Sequence, residues 1–407
     1  MFHPLITLGG YFLNSFNIEN GILRGVLFIQ GSFRHVSLNG GVFQQKVVTK
    51  GGNFLQLFEI IGGSFDDLFI IQKGQFFAEF NIEGGEFKSG FKISGGNFKN
   101  NFSIRDGFFE DEFQVEGGEF DKTFGVKGGE FDKVFKILKG IFNYHFTITY
   151  GDFKDGFLVN QGTFNSEVNI YGGVFRKEFT ISGGVFFNNV FVGGDGVFQS
   201  DFTISGGYYY RKIRIGDNNS FQKRLIIDNE NESNSISQDK FIAHLSIETF
   251  INFILMLLEN CSLRQITFKD GINSNGKVYI KSNQVESLVF EDFINEGKLE
   301  LLGVKSVENS LTIIQFINCN LENVVFKGVD FNSFNQIVIN DTKLNNVSLI
   351  VFHIPTDKKR LGNEVCDNNE LIHNSKKMAE IYNQLYLATQ KQGNKSLEMR
   401  YYATYLG

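Results

Sequence analysis

One eleven-residue unit recurs through the first half of the chain and limits what it can fold into. Residues 117–138, GGEFDKTFGVKGGEFDKVFKIL, hold two consecutive copies of a unit that reads G-G-x-F-x-x-x-F-x-I-x. Its Gly pairs exclude a helix, because each interior helical Gly costs about 1 kcal/mol. The eighth and tenth positions lie two apart, as on one face of a strand. The repeat therefore predicts an all-β solenoid with the large apolar columns facing a shared interior.

The two Gly columns of the unit differ. The second position is Gly in each copy from residue 41 to residue 184, whereas the first also accepts other residues. Those residues are Lys73, Asp106, Lys139, Tyr150 and Gln161. We therefore expect only the second position to need a positive φ or a close backbone approach.

Short five-residue repeats appear near the other end of the chain. Residues 319–323 (CNLEN), 324–328 (VVFKG) and 329–333 (VDFNS) resemble the pentapeptide-repeat family, as do 261–265 (CSLRQ) and 266–270 (ITFKD). The resemblance implies a right-handed, four-sided parallel β-solenoid. In that fold, the central residue of each pentad and the residue two before it point inward. By analogy, the eleven-residue unit supplies a five-residue side and a six-residue side, so that two units close a coil of about 22 residues.

An alternative is one coil per eleven-residue unit. Such a ring leaves little room for two Phe and one Ile at the packing density of protein interiors. The larger coil is therefore favoured, with regular repeats over 1–216, a loop over 217–239 and a degenerate, pentapeptide-like solenoid over 240–355. Periodicity leaves open whether residues 240–258 form a capping helix or two buried strands.

The last part of the sequence, 356–407, has the apolar spacing of a helical hairpin. Residues 376–406, KKMAEIYNQLYLATQKQGNKSLEMRYYATYL, resemble one tetratricopeptide helix pair. Similar tails follow β-solenoid segments in bacterial proteins of unassigned role. Two interpretations stay open: the hairpin packs on the last coil as a cap, or it docks to another protein or a second copy.

Composition excludes several classes of protein. The net charge is −6, with both signs interleaved, so no nucleic-acid partner is expected. The three Cys are widely separated, which is typical of free thiols in a reducing compartment. The first residues lack a signal-peptide pattern, and FINFILMLLENC, 250–261, is too short to span a membrane. We predict a cytoplasmic, bacterial protein.

The sequence shows no motif that carries chemistry. The six His are scattered, and GGDGVFQSD, 193–201, has Phe where a calcium nonapeptide has Asp. The acids Glu86, Glu119, Glu130 and Asp152 share the third column of the unit, but exposed acids are expected there for solubility. We therefore predict no enzyme activity, no catalytic residue, no metal site and no cofactor.

The remaining hypothesis is a non-catalytic structural or interaction scaffold, with a protein partner or self-association through the C-terminal helices. A polymer-forming cytoskeletal β-helix is the alternative, and a carbohydrate-active β-helix enzyme ranks below both. The candidate interaction residues are aromatic or basic, and they are Tyr208, Tyr210, Arg211, Tyr382, Tyr386, Tyr401, Tyr402 and Tyr405.

Overall fold

Parallel pairing between strands one coil apart is the organising feature of the fold. The computed structural model describes residues 5–216, 220–228, 242–248, 252–259, 262–270, 272–273, 276–281, 283–306, 311–344, 346–350 and 368–406. Glu119 pairs with Asn97 on one side and with Ile141 on the other, each 22 residues away. Two eleven-residue units therefore close one coil, and the predicted parallel β-solenoid with two C-terminal helices is confirmed, with about 14 turns.

The chain divides into two compact units, residues 1–211 with 219–222, and residues 212–218 with 223–407. The first strands are Leu5–Leu8, Tyr11–Ile18, Ile22–Leu23, Val26–Ile29, Ser32–Phe43, Val47–Phe54, Phe58–Phe65 and Phe69–Phe76. Three-residue strands follow at Phe80–Ile82, Phe91–Ile93, Phe102–Ile104, Phe113–Val115, Phe124–Val126, Phe135–Ile137, Phe146–Ile148, Phe157–Val159, Val168–Ile170, Phe179–Ile181 and Val190–Val192. They alternate with two-residue strands at Glu86–Phe87, Asn97–Phe98, Phe108–Phe109, Glu119–Phe120, Glu130–Phe131, Ile141–Phe142, Asp152–Phe153, Thr163–Phe164, Val174–Phe175, Val185–Phe186 and Val197–Phe198.

Stacked aromatic rings fill the core of the first unit. Phe120 lies between Phe98 and Phe142, with ring centroids 4.7 and 5.0 Å away and nearly parallel planes. It also meets Phe124 of its own coil edge-on at 5.0 Å. This spacing follows from the distance of about 4.8 Å between strands, which places identical residues of successive coils at stacking distance.

The Gly corners take two forms. Between residues 52 and 184, the second-position Gly has φ of 95–113° when Gly precedes it and 127–144° when another residue does. A Cβ at the first-position Gly117 would lie 2.7 Å from the Ser94 carbonyl oxygen, and one at Gly128 would lie 2.1 Å from that of Arg105. The expectation that only the second position is constrained is thus wrong: a Cβ at first-position residues 84, 95, 117, 128, 172 and 183 would lie within 2.7 Å of a carbonyl oxygen, although Gly51 and Gly62 have room for one.

The segment predicted as a loop, 217–239, is described over 220–228, where the structure differs from the prediction. Strands Phe202–Ser205 and Tyr208–Ile215 are followed by the strand Ser220–Asp228. Phe221, Leu225 and Ile227 are buried there. The polar run 229–239 lies outside the described residues. Of the ambiguous segment 240–258, the described parts are strands, so the two-strand interpretation holds for them.

Less regular coils form the second unit. Its strands are Ile242–Glu248, Asn252–Glu259, Ser262–Lys269, Ile272–Asn273, Lys277–Lys281, Gln284–Glu291, Ile294–Asn295, Lys298–Leu302, Lys305–Ser306, Ile313–Ile317, Val325–Lys327, Gln336–Asn340 and Ser348–Ile350, with a short 3-10 helix at Phe331–Ser333. The inward positions of the three adjacent pentads are all buried, as the pentapeptide resemblance implies: Cys319, Leu321, Val324, Phe326, Val329 and Phe331. One set of corners uses left-handed Asp or Asn instead of Gly, namely Asp270, Asp292, Asn318 and Asp341.

Two helices complete the chain. Helix α1 spans Asn368–Lys391 and helix α2 spans Lys395–Leu406. Gly393, with φ 69°, lies between them and allows the chain to reverse. The hairpin thus begins at residue 368 in the described chain, and residues 356–367 of the predicted hairpin lie outside it.

Candidate functional site

Several exposed apolar residues lie on one side of the first unit. We call it the aromatic face, and its outward residues form two columns that flank the buried Phe column. The first column is Tyr11, Ser32, Asn53, Gln75, Asn97, Glu119, Ile141, Thr163, Val185 and Tyr208. The second is Leu55, Phe77, Lys99, Asp121, Asn143, Asn165, Phe187 and Tyr210.

Three predicted residues lie together at one end of the aromatic face. Tyr208 and Tyr210 point outward and are 36% and 58% exposed, and Arg211 is also exposed. Phe187, 45% exposed, stacks on Tyr210 with ring centroids 4.9 Å apart. Tyr209 points inward instead and stacks on Phe186. Tyr208, Tyr210 and Phe187 thus form an exposed aromatic cluster.

Sequence reasoning missed Phe187 and a second apolar pair on the same face. Leu55 and Phe77 follow buried Phe residues, as Phe187 does, and are 54% and 47% exposed. The signal was present in the sequence, because each is a large apolar residue at the usually polar fifth position of the unit. Only the 22-residue coil shows that they share one side, since successive units lie on opposite sides and every second unit returns to the same side.

Polar side chains occupy the middle of the aromatic face and bind one another along the column. Lys99 Nζ donates to Asp121 Oδ2 at 2.7 Å, and Asn143 Nδ2 donates to Asp121 Oδ1 at 2.8 Å. Asn165 in turn donates to Asn143. These bonds hold the pKa of the Asp121 carboxyl below its usual value, with the Lys99 hydrogen bond as the largest cause.

The predicted tyrosines of the helical hairpin divide into two sets. Tyr382 and Tyr401 are 1% and 0% exposed, so they cannot contact a partner and are removed from the candidate surface. They pack against each other because they lie on the facing sides of the two helices, with ring centroids 6.2 Å apart. Amphipathic spacing predicts that each helix buries one of its sides. The sequence alone did not show which tyrosines lie on the buried side.

The other tyrosines lie at the surface of the hairpin. Tyr402 and Tyr405 are 41% and 38% exposed, and Met399 is 65% exposed. Their spacing of three residues places them along one side of α2. Tyr386 of α1 lies beside Tyr402, with ring centroids 5.1 Å apart. We call Met399, Tyr402 and Tyr405 the tyrosine stripe.

Helix α1 occupies the edge of the last coil. The backbone N–H of Leu344 donates to Gln384 Oε1 at 2.6 Å, and that of Leu349 donates to Gln392 Oε1 at 3.1 Å. Gln392 Nε2 returns a hydrogen bond to the Val347 carbonyl at 2.5 Å. The two Gln side chains therefore occupy positions that the backbone of a further strand would take. Neither Gln was singled out from the sequence.

The acids of the third column are divided between two sides of the coil. Glu119 lies on the aromatic face, whereas Glu86, Glu130 and Asp152 lie on another side of the coil. Glu130 and Asp152 are held in ion pairs, with Lys154 and with Arg176 respectively. The Arg176 pair is bidentate, with distances of 2.8 and 2.7 Å. These contacts favour solubility and coil-to-coil attraction over proton transfer.

His145 has neighbours of the kinds found in catalytic triads, but in the wrong arrangement. Its Nδ1 lies 3.3 Å from Ser166 Oγ and 3.9 Å from a Glu167 carboxylate oxygen. A triad needs the hydroxyl and the carboxylate on opposite ring nitrogens, so that the ring can take a proton from one and be oriented by the other. Here both lie at the same nitrogen, and that relay cannot operate.

Among the described residues, no three His, Cys, Asp or Glu side chains are placed to hold a metal ion, and no helix is both long and apolar enough to cross a membrane. The two candidate surfaces are the aromatic face, in the first unit, and the helical hairpin, in the second. Comparisons with protein-family models, curated proteins and solved structures found no match.

Proposed function

We propose that this protein is a non-catalytic scaffold. The solenoid is a rigid spacer and binding surface, and the C-terminal hairpin both caps the last coil and docks a partner protein. The observation that carries the proposal is the pair of hydrogen bonds from Leu344 and Leu349 to the side chains of Gln384 and Gln392. A side chain that satisfies an open strand edge prevents that edge from pairing with another chain.

The cap weighs against the alternative of a polymer-forming β-helix. Growth by end-to-end stacking requires a free strand edge at both ends of the solenoid. The strands Leu5–Leu8, Tyr11–Ile18 and Ile22–Leu23 pair on one side only within the described chain. The last coil is covered by α1, so stacking there would require the helix to leave.

The tyrosine stripe supports the docking role. Tyr is enriched in protein interfaces because its ring buries apolar area while its hydroxyl stays hydrated or paired. Tyr402 and Tyr405 are exposed while Tyr382 and Tyr401 already satisfy the packing of the hairpin. Tyr402 also contacts Tyr386 of α1. The side of the stripe that stays exposed favours a partner protein as its role.

Several finer features belong to the same proposal. The pentads at 319–333 favour a relative of the pentapeptide-repeat proteins, and the hairpin favours a tetratricopeptide-like unit. A bacterial cytoplasm suits Cys319, which is buried and free, and whose pKa burial raises to about 11. A thiol of that kind stays protonated and resists oxidation.

The test separates docking from capping in the intact protein. The tagged chain would be used to recover bound proteins from its host, in parallel with M399E/Y402E, which alters the stripe, and K395A, which leaves the stripe unchanged on the same helix. We expect one protein to be bound by the wild type and by K395A and to be lost with M399E/Y402E. Equal recovery with all three, or no bound protein, would overturn the docking role.

A further inference from the structure

A serine, a histidine and a glutamate are in contact across three successive strands near the start of the solenoid. Ser15 Oγ lies 3.4 Å from His35 Nδ1, and His35 Nε2 lies 3.1 Å from a Glu59 carboxylate oxygen. The hydroxyl and the carboxylate thus lie at opposite nitrogens of the ring. This is the arrangement that His145 lacks, because its hydroxyl and carboxylate neighbours both lie at Nδ1.

A bulge in the first of these strands places Ser15 beside His35. The strand Tyr11–Ile18 pairs with Ser32–Phe43, and its register shifts just before Ser15, where it uses one residue more than its partner. A bulge redirects the side chains that follow it, and bulges are frequent next to active sites. Without the extra residue, Asn14 would lie opposite His35, and no hydroxyl would be present there.

The exposure of the three side chains differs in the way that a base-activated serine requires. The side chains of Glu59 and His35 are 15% and 27% exposed, whereas Ser15 is exposed. Partial removal from water strengthens the hydrogen bond between the carboxylate and the ring. The exposure of Ser15 leaves its hydroxyl accessible to a reagent in solution.

The contacts of the ring assign a role to each residue. A neutral imidazole has one N–H and one lone pair, and the hydrogen bond made by one nitrogen fixes the state of the other. Glu59 accepts the N–H at Nε2, which leaves the lone pair of His35 at Nδ1, beside Ser15. His35 is thus placed as a general base for the hydroxyl, and Glu59 is a positioning residue for the ring. A separation of 3.4 Å is long for a hydrogen bond, as such contacts often are before a substrate binds.

The edge of the first coil suits an attack on a carbonyl group. Within the described chain, Tyr11–Ile18 pairs on one side only. An edge strand has backbone N–H groups that point away from its partner strand. Backbone N–H groups beside a nucleophile stabilise the negative oxygen that forms when a carbonyl is attacked. These donors favour an acyl group as the electrophile.

We propose that Ser15 is a nucleophile that takes an acyl group from an activated ester or thioester. Ser15 Oγ forms a bond to the acyl carbon while its proton passes to His35 Nδ1. The bond from the acyl carbon to the leaving alcohol or thiol then breaks, and His35 gives the proton to the leaving oxygen or sulfur. The acyl group remains on Ser15 as an ester. The proposal concerns the first unit alone and is independent of the docking role of the helical hairpin.

The two Ser–His–Glu groups of the chain provide a matched experiment. The full-length protein would be treated with p-nitrophenyl acetate, and acetylation of each serine would be followed by mass spectrometry of its peptides. We expect Ser15 to react roughly a hundredfold faster than Ser166, whose neighbours are of the same types in the wrong arrangement. In the chain unfolded by urea, the two serines should react at similar rates.

Substitution of the base tests its role directly. His35→Gln keeps a polar side chain without a basic nitrogen and should lower the rate at Ser15 by roughly a hundredfold. His145→Gln is the matched control and should leave the rate at Ser15 unchanged. Circular dichroism of each variant checks that the strands remain folded.

Glu59 is tested by a rate and by a spectroscopic signature. Glu59→Gln keeps a hydrogen-bonding group but removes the charge, so it should lower the rate at Ser15 by about tenfold. The ¹⁵N NMR signals of the His35 ring should show the hydrogen at Nε2 in the wild type and a weaker preference in the variant. A purely structural role of Glu59 would lower stability and leave the rate at Ser15 unchanged.

Two results would overturn the proposal. One is a rate at Ser15 no higher than that at Ser166 in the folded protein, and the other is an unchanged rate at Ser15 in His35→Gln. The comparison of the two serines uses the wild type alone, so it decides the matter even if a variant does not fold.

Discussion

The ring of Tyr209 lies parallel to the ring of Phe186, with centroids 4.6 Å apart, and its hydroxyl is buried without a hydrogen-bond partner among the described residues. Tyr209 thus occupies a position of the Phe column, where its hydroxyl group makes no hydrogen bond to the described residues. Burial raises the pKa of this phenol. A buried polar group without a partner is destabilising.

Tyr209→Phe should therefore raise the free energy of unfolding, by about 1 kcal/mol. The measurement is chemical denaturation of the full-length protein. Tyr208→Phe is the control, because the Tyr208 side chain is exposed and should change stability little. A loss of stability in Tyr209→Phe would mean that the hydroxyl has a stabilising contact.

Phe120→Ala should lower the free energy of unfolding by about 3–5 kcal/mol, because the ring contacts four other rings and is fully buried. Phe77→Ala removes the same side chain from the surface of the same side of the coil and should cost under about 1 kcal/mol. Denaturant unfolding of both variants checks the difference. Similar losses would contradict the assignment of inward and outward columns.

Placing Ala at the first position of the unit should have different effects on stability at the two kinds of corner. Gly117→Ala brings a Cβ to 2.7 Å from the Ser94 carbonyl oxygen, so the backbone must shift, at a cost of about 1–3 kcal/mol. Lys139→Ala should be nearly neutral, because the corner at 139–140 already accepts a side chain and Gly140 has φ 139°. Unfolding midpoints of the two variants test this. Equal destabilisation would show that the corners do not differ in this way.

Gln384→Leu combined with Gln392→Leu should uncover the N–H groups of Leu344 and Leu349. Each unsatisfied donor costs about 1–3 kcal/mol if it stays buried. We expect faster hydrogen exchange at these two amides, measured on the full chain, and a tendency to associate through the freed edge. Gln390→Leu is the matched control, since the Gln390 side chain donates to Tyr386 on the same helix and not to the last coil among the described residues. Unchanged exchange in the double variant would contradict the cap.

The lowered pKa of Asp121 predicts that the stability of the protein depends on pH. Its pKa is lower in the folded protein than in the unfolded chain, through Lys99 and Asn143. Its contribution is therefore complete above the ordinary carboxyl pKa, about 4, and is lost as the pH falls through the lower folded value. Asp121→Asn should reduce stability at neutral pH and weaken the acid dependence below about pH 4. The measurement is a set of unfolding curves from pH 2 to 7. If Asp121 did not contribute, the wild type and Asp121→Asn would lose the same free energy of unfolding as the pH falls.

The repeat allowed much of the first unit to be predicted, because each Phe column depends only on spacing along the chain. Phe120 and Phe124 could be assigned to the interior for this reason. The tight first Gly could not, since Gly117 is constrained by a carbonyl 23 residues earlier, a contact that only the coil geometry reveals. The strand Ser220–Asp228 was missed because its neighbouring polar run suggested a loop.

The candidate surfaces were predicted in part. Tyr208 and Tyr210 stood out because they interrupt the Phe pattern, but their relation to Leu55 and Phe77 depends on which units share a side. Tyr382 and Tyr401 could not be separated from Tyr402 and Tyr405 by spacing, because two packed helices each have a buried and an exposed side. Gln384 and Gln392 gave no signal, as their role depends on the last coil.

Because a coil contains two repeats, the number of repeats and the surface of the protein are linked. Gaining or losing a full 22-residue coil keeps every downstream residue on its own side. Gaining or losing one eleven-residue repeat would move all later residues to the opposite side while leaving the Phe core equally well packed. The sequence could then drift in length by single repeats without losing the fold, yet each such step would separate Leu55 and Phe77 from Phe187 and Tyr210. A surface built from both ends of the array requires growth in pairs of repeats.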